Sequence, residues 1–420
     1  MFFDTASPQM FQGLDQLQTD LGTKLTIGDG GLFSQPPQQI VNADMPYEYA
    51  SCQNRLSVMN TPAGVFWISA NQGKVFSYLG GLKEISGSQL KWWFINYLPY
   101  RLTEDFPDFD LTDNPVIGIG CQSIFDNQNG LLYFTKRDFA LRKDIPAGTT
   151  LVYAGSNKFT VVVNNVNQNT VELGDPLYFT DASWTISYDP KVESWVSYHD
   201  WHPNLLMPGK NTFLSILNDS IYLHNWVCDS YCNFYGVNYP FEIEYMVDTA
   251  QQVNTIRSVE YQMEAYVYSD NCFDRFHVLD FNFDEAVVYN TEQVSGLLKL
   301  NLTPTNDPQL LVSYPIIQTI GQYIDILFSK VENKYRFNQF WDITNDRGQG
   351  TSPSQQVIWN TADNGYVRTL NQNNLNYTKD QFQRKKFRHY TNTVFLRKLV
   401  SGDKKMLVLL TNNKNLNSPR

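Results

Sequence analysis

Charge is scarce in this chain. Charged residues fill 18% of its 420 positions, beside 42% hydrophobic residues, so the chain is no disordered polyelectrolyte. Cysteine is scarcer still: Cys52, Cys121, Cys228, Cys232 and Cys272 are scattered singly. An odd, sparse set argues against the paired framework of a small secreted domain. No apolar run approaches the length needed to span a bilayer. The opening "MFFDTASPQMFQGLDQLQTD" lacks a basic segment followed by an apolar stretch, so no secretory signal is expected, and folding in a reducing cytoplasm is. Walker A, G-x-G-x-x-G and G-x-S-x-G patterns are missing, which removes the usual phosphate-loop and nucleophile-elbow chemistries.

Aromatic residues are plentiful, at 15%, with 25 Tyr and 27 Phe. They suit pleated, half-buried surfaces and predict a mostly β fold. Asn and Gln are also abundant, as in "NNVNQNTVELGD" (164–175). Such uncharged polar surfaces fit a protein packed against copies of itself. The formal net charge is −10, unevenly spread. From 381 to 420 there are ten Lys/Arg against Asp403 alone, leaving about −19 for residues 1–380. The acidic body repels nucleic-acid phosphates; the basic tail suits an acidic neighbour or the body of a sister subunit.

Apolar runs separated by polar turns recur along the chain and predict antiparallel hairpins at 64–81, 116–136, 182–200, 213–225, 323–341 and 393–411. The stretch "SYDPKVESW" (187–195) shows the plan. Asp189 can bond to backbone N–H groups of the turn, Pro190 presets the next φ, and Trp195 opens the returning strand. An aromatic–Asp-Pro–x4–Trp hairpin looks like the outer hairpin of a kelch-type propeller blade, although the spacing of the hairpins is irregular. The fold class expected is therefore mostly β: propeller-like, antiparallel, hairpin-rich domains with few short helices. The division expected is a lead segment over 1–26 and a propeller-like domain over 27–225. A second β region follows over 226–345, then a linker and basic C-terminal hairpin segment over 346–420. The linker signal is strongest in "NDRGQGTSPSQQ" (345–356). One helix is expected over 88–102, with Ser88 as cap, an apolar face of Leu90, Trp93, Phe94, Tyr97 and Leu98, and Pro99 ending or kinking it. A second helix is a candidate over 379–390.

Five constellations could carry chemistry. His224, Cys228 and Cys232 stand at H-x3-C-x3-C and could supply three zinc ligands on a helix, but no second Cys/His pair closes the set. His199, Asp200 and His202 contain a His–Asp pair without a nucleophile to complete it. Asp105, Asp108, Asp110 and Asp113 form an acidic loop whose spacing does not match an EF-hand. Asp284 and Glu285 are adjacent, so on a strand they face opposite ways. The basic run at 384–390 could touch nucleic acid, yet a protein contact suits an acidic protein at least as well. In each case the bland reading is preferred: small buried Cys, a polar loop around an inward Trp201, solvated carboxylates. No catalytic, cofactor or metal residue is therefore assigned, and no enzyme is expected.

Several long segments carry a resemblance. "WVSYHDWHPNLLMPGKNTF", "CNFYGVNYPFEIEY", "DRFHVLDFNFDEAVVYNTEQVSGLLKLNL", "ENKYRFNQFWDITNDRG" and "QRKKFRHYTNTVFLRK" resemble, in order, the C-terminal part of the tail muzzle, or stabilization, protein of crAss-like phages. "TIGDGGLFSQPPQQIVNADMPYEYASCQNRLSVMNTPAGVFWISANQGKVFSY" resembles the same family. The likeness runs from about Thr26 to the C-terminus, and the family's chains are longer. It implies a virion structural protein at the distal end of a short, podovirus-type tail, assembled in the bacterial host cytoplasm. The implied role is a nozzle-like homo-oligomeric ring, six-fold by analogy, that gates DNA ejection. The implied partners are copies of itself, the tail barrel or hub, receptor-binding proteins, and genomic DNA passing without specific binding. The rival reading is a propeller-like carbohydrate-binding or glycoside-hydrolysing protein. Two carboxylates in one aromatic-lined pocket would speak for it.

Overall fold

The computed structural model describes residues 1–10, 15–18, 24–27, 37–41, 45–110, 113–225, 230–248, 253–256, 258–269, 274–278, 281–295, 298–300, 303–304, 311–313, 327–331, 334–338, 340, 357–360, 365–368, 387–400, 402 and 404–409. The chain folds as two compact units, Met1–Trp226 and Val227–Arg420. It is mostly β, with many small antiparallel sheets.

In the first unit, neighbouring strands in sequence are neighbours in space. One four-stranded sheet runs Met59–Thr61, Gly64–Ser69, Lys74–Tyr78, Leu82–Glu84 in chain order. Its central hairpin turns at Gly73, whose φ of 61° lies in the left-handed region and whose Cβ position is only 2.9 Å from the Ile95 Cα. Glycine therefore serves both the turn and the close approach of the following helix. A second sheet is ordered Gly120–Asp126, Leu131–Arg137, Trp184–Asp189, Ser194–His199. Its first turn closes with the Gly130 N–H donating to the Asp126 carbonyl at 2.8 Å. Residues 138–183 are inserted between its second and third strands. They form a pair, Phe139–Leu141 with Phe179–Asp181, and a three-stranded meander, Thr149–Gly155, Lys158–Val163, Val166–Glu172. A third sheet, Leu205–Pro208, Phe213–Leu217, Ser220–Leu223, follows.

The beginnings of these three sheets lie together. Ser123 Oγ donates to the Ser57 carbonyl at 2.8 Å. The Gln122 side chain donates to the Pro203 carbonyl at 2.9 Å and accepts from the Leu206 N–H at 2.8 Å. First strands inside and last strands outside is the arrangement of propeller blades. The described residues nevertheless form no closed barrel or propeller. Phe94, Leu98, Leu132, Phe134, Phe159 and Ile186 lie in the main core, which draws on the first two sheets, the insert and the helices.

The expected helix is split in two: α1, Lys91–Tyr97, and α2, Arg101–Asp105. Pro99 breaks it, as its ring requires. Ser88 does not cap it; α1 begins after Leu90 without a side-chain cap, and the Ser88 hydroxyl bonds to the Ile85 carbonyl instead. Phe94 and Leu98 are buried, whereas Tyr97 is 49% exposed.

The second unit keeps local hairpins, such as Leu327–Val331 with Lys334–Asn338, but also pairs strands distant in sequence. One sheet is ordered Phe241–Asp248, Thr391–Lys398, Glu285–Tyr289, Leu298–Lys299. The other centres on the long strand Ser258–Tyr268, flanked by Arg275–Val278 and Lys334–Asn338 and also paired with Lys404–Leu409. Val259, Tyr261 and Met263, two residues apart, share one core with Ala286, Val288, Val394 and Leu396 of the other sheet. The hairpin expected over 393–411 is not formed. Thr391–Lys398 lies between Phe241–Asp248 and Glu285–Tyr289, while Lys404–Leu409 joins the other sheet. Val394, Phe395 and Leu396 are buried in succession, and a strand flanked on both edges and covered on its faces reads as a continuous apolar run.

The linker candidate at 345–356 lies outside the described residues, as do 379–386 of the second helix candidate. The end of that candidate, Phe387–His389, is a strand paired with Asn254–Ile256.

Candidate binding groove

The turn at Asp189 is structural. The Lys191 N–H donates to Asp189 Oδ1 at 2.8 Å, and Trp195 packs on Phe94, Phe134 and Tyr188 while its Nε1 donates to the Ile85 carbonyl at 3.2 Å. His224 is buried, stacked 4.2 Å from Phe213, with Nε2 2.6 Å from Ser215 Oγ. Burial pulls its pKa down to about 4, Asp126 pulling back. Cys228 lies outside the described residues, as does Cys272. Among the described residues no group of three His, Cys, Asp or Glu could hold a metal ion.

The structure separates the two histidines of "SYHDWHPN". His199 Nε2 meets Ser187 Oγ at 3.0 Å, and burial lowers its pKa to about 4. His202 instead faces Asp181 at 3.6 Å. Burial alone would raise the Asp181 carboxyl, but hydrogen bonds from His202 and Ser183 outweigh it and hold it at about 2. Trp201 between them is 2% exposed. The acidic loop is divided as well: Asp113 accepts from Asn54 and from the Arg55 N–H at 2.8 Å each, and Asp105 accepts from the Leu141 N–H at 2.9 Å. Asp284 binds Lys398 at 2.7 Å, and Glu285 lies 3.8 Å from Arg397, which also meets Glu242 at 3.0 Å. Arg397 and Lys398 of the basic tail thus neutralise acidic groups of their own unit. Of the basic run, 384–386 lie outside the described residues and Phe387 is buried.

An arrangement that the motifs did not announce lies at the break between α1 and α2. Lys136 and Asp138, both with wholly buried side chains, pair at 2.6 Å. The Lys136 ammonium also donates to the Tyr97 carbonyl at 2.9 Å and the Pro99 carbonyl at 2.7 Å, closing the end of α1. Asp138 accepts from the Arg101 N–H at 2.6 Å and the Leu102 N–H at 3.3 Å, capping the start of α2. Burial pulls the ammonium's pKa down and Asp138 opposes it. One ion pair thus sets the angle that Pro99 opens. The sequence signal was slight: two charges two apart on an apolar strand, facing the same way.

This corner forms one wall of a groove of about 970 Å³, lined by Trp93, Tyr97, Arg101, Glu104 and Asp105 and closed opposite by residues 140–143 and 182–184. Trp93 lies edge-on to Trp184 at 4.9 Å and 5.4 Å from Tyr97; Trp184 Nε1 donates to the Tyr97 carbonyl at 3.0 Å. The cations and carboxylates are largely engaged. Arg101 pairs with Glu104 at 3.1 Å and lies over the Tyr97 ring; Arg142 grips Asp144 through two bonds of 2.8 and 2.6 Å. Glu104 and Asp105 both line the groove, but each already accepts a hydrogen bond, and as consecutive helical residues they diverge. The groove sets two carboxylates and polar edges beside aromatic rings, a lining suited to a polar ligand.

No protein-family model matches this chain, and no curated protein matches it.

Proposed function

We propose that this chain is a non-catalytic virion structural protein of a short-tailed phage, part of the muzzle or nozzle ring that gates DNA ejection at the tail tip. The observation that carries the reading is exposed apolar side chains on the outermost strands of sheets among the described residues. Val196 and Tyr198 on the outer strand Ser194–His199 are each 53% exposed, and Ile221 on the outer strand Ser220–Leu223 is 67% exposed. The outer strand Val166–Glu172 of the insert turns Asn and Gln to solvent. Open edges with apolar side chains are an aggregation hazard in a monomer and a joining surface in an assembly. The resemblance to crAss-like tail muzzle proteins points the same way.

In this reading the mechanism is assembly and gating. Subunits bury these edges against one another and against the tail barrel and receptor-binding proteins, and an acidic lumen lets DNA slide without sticking. Light scattering on the purified chain tests it. The expected mass is a fixed multiple of 48.5 kDa. Tyr198→Lys and Ile221→Lys together are expected to shift it toward one copy; because the Tyr198 ring also packs edge-on against Trp93 at 5.3 Å, a stability loss of about 1 kcal/mol accompanies the change. A single-copy mass at every concentration would remove the reading.

A further inference from the structure

The groove between the α1–α2 corner and the insert has no part in the proposed role in assembly. We infer that it binds a neutral oligosaccharide. Three features of its walls select that class. The first is aromatic surface: Tyr97 is half exposed, with Trp93 beside it at a ring tilt of 30° and the Arg101 guanidinium 5.8 Å from its ring centre. The exposed part of the rings takes the C–H surface of a pyranose, and the guanidinium edge takes its hydroxyl groups. The second is charge balance. Arg101 with Glu104, and Arg142 with Asp144, are ion-paired, and Lys143 is offset in formal charge by Asp105, so the walls offer hydrogen-bonding edges with no net formal charge. An anionic polymer would have to displace those carboxylates; hydroxyl groups need only join them. The third is rigidity. The corner is held by the buried Lys136–Asp138 pair, so its rings and donors are positioned before a ligand arrives. The volume, about 970 Å³, lies at the upper end of the range for small-ligand sites and suits several sugar rings better than one.

The test uses the intact chain and saturation-transfer NMR. The probes are cellohexaose, maltohexaose, laminarihexaose, mannohexaose and chitohexaose, with glucose and hyaluronan as comparisons. The expected result is saturation of pyranose C–H signals in at least one hexasaccharide, with weaker transfer to glucose and none to hyaluronan. Tyr97→Ala is expected to weaken that binding about ten-fold, the scale of one lost ring contact, and Tyr97→Phe to retain it. Both variants should melt as the parent does; Trp93, which packs on the core, is left intact. Silence from every hexasaccharide, binding indifferent to Tyr97→Ala, or hyaluronan binding as tightly as a neutral chain would each overturn the inference. None of these outcomes alters the assembly state, so the tail-structural reading stands or falls separately.

Discussion

The two units use the same antiparallel pairing to opposite ends. In the first, the larger sheets are meanders or meanders with an insertion, and a strand usually finds its partner a few residues away. In the second, Thr391–Lys398 is paired with strands near 245 and 287. Local pairing costs little loop-closure entropy; distant pairing costs more and must be repaid by shared burial. The second unit repays it with a core to which both sheets contribute, and with Arg397 and Lys398 set against Glu242, Asp284 and Glu285.

Ending the chain at Tyr390 should set the two units apart most strongly. This removes an interior strand and the buried side chains of Val394, Phe395 and Leu396. Each such side chain contributes roughly 1.5–3 kcal/mol, so the loss rivals the whole stability of a domain. The second unit should lose its cooperative unfolding transition while the first keeps its own, read by calorimetry. Two intact transitions would mean that the C-terminal strands are dispensable.

Within the first unit the largest single-residue effect is expected at the helix corner. Asp138→Ala leaves the Lys136 ammonium buried without its partner and should cost about 3–5 kcal/mol by urea denaturation. Lys136→Met with Asp138→Leu should recover part of that, because it removes both charges together.

Acid should then separate the two units. His199 and His224 both lie in the first, with pKa values lowered to about 4, against about 6.5 when unfolded. Between those values the unfolded chain binds more protons, so the stabilisation is fully present above pH 6.5 and is lost as pH falls toward 4. The limit is about 3 kcal/mol for each histidine. His199→Gln with His224→Gln should flatten that slope in the melting curve of the first unit. An unchanged slope would assign it to other groups.

Smaller effects distinguish the parts of one hairpin. Trp195→Ala should cost about 2–3 kcal/mol, less than a fully buried ring, because Trp195 is only partly covered. Asp189→Ala removes one turn hydrogen bond and should cost about 1 kcal/mol. Equal costs would contradict the division between packing residue and turn former.

The same contrast decides what could be read from the sequence. The hairpins around Gly73, Asp126 and Asp189 were legible because their turn residues lie beside the strands they join. The partners of Thr391–Lys398 were not, since no local pattern states which distant strand it will meet; its uninterrupted Val394, Phe395 and Leu396 was the one sign that it is flanked on both sides. Of the groove, Trp93 and Tyr97 were visible as part of an apolar helix face. The half-exposure of Tyr97 was not, because it depends on the corner that Lys136 and Asp138 build from a strand about forty residues onward. At His199, His224 and Asp284 each side chain is engaged by a nearby partner that spacing alone does not reveal.

Direct imaging tests assembly most plainly. Negative-stain electron microscopy of the purified full chain at micromolar concentration is expected to show closed rings of uniform size, lost when Tyr198 and Ile221 are both changed to Lys. A field of single compact particles, unchanged by those substitutions, would contradict it.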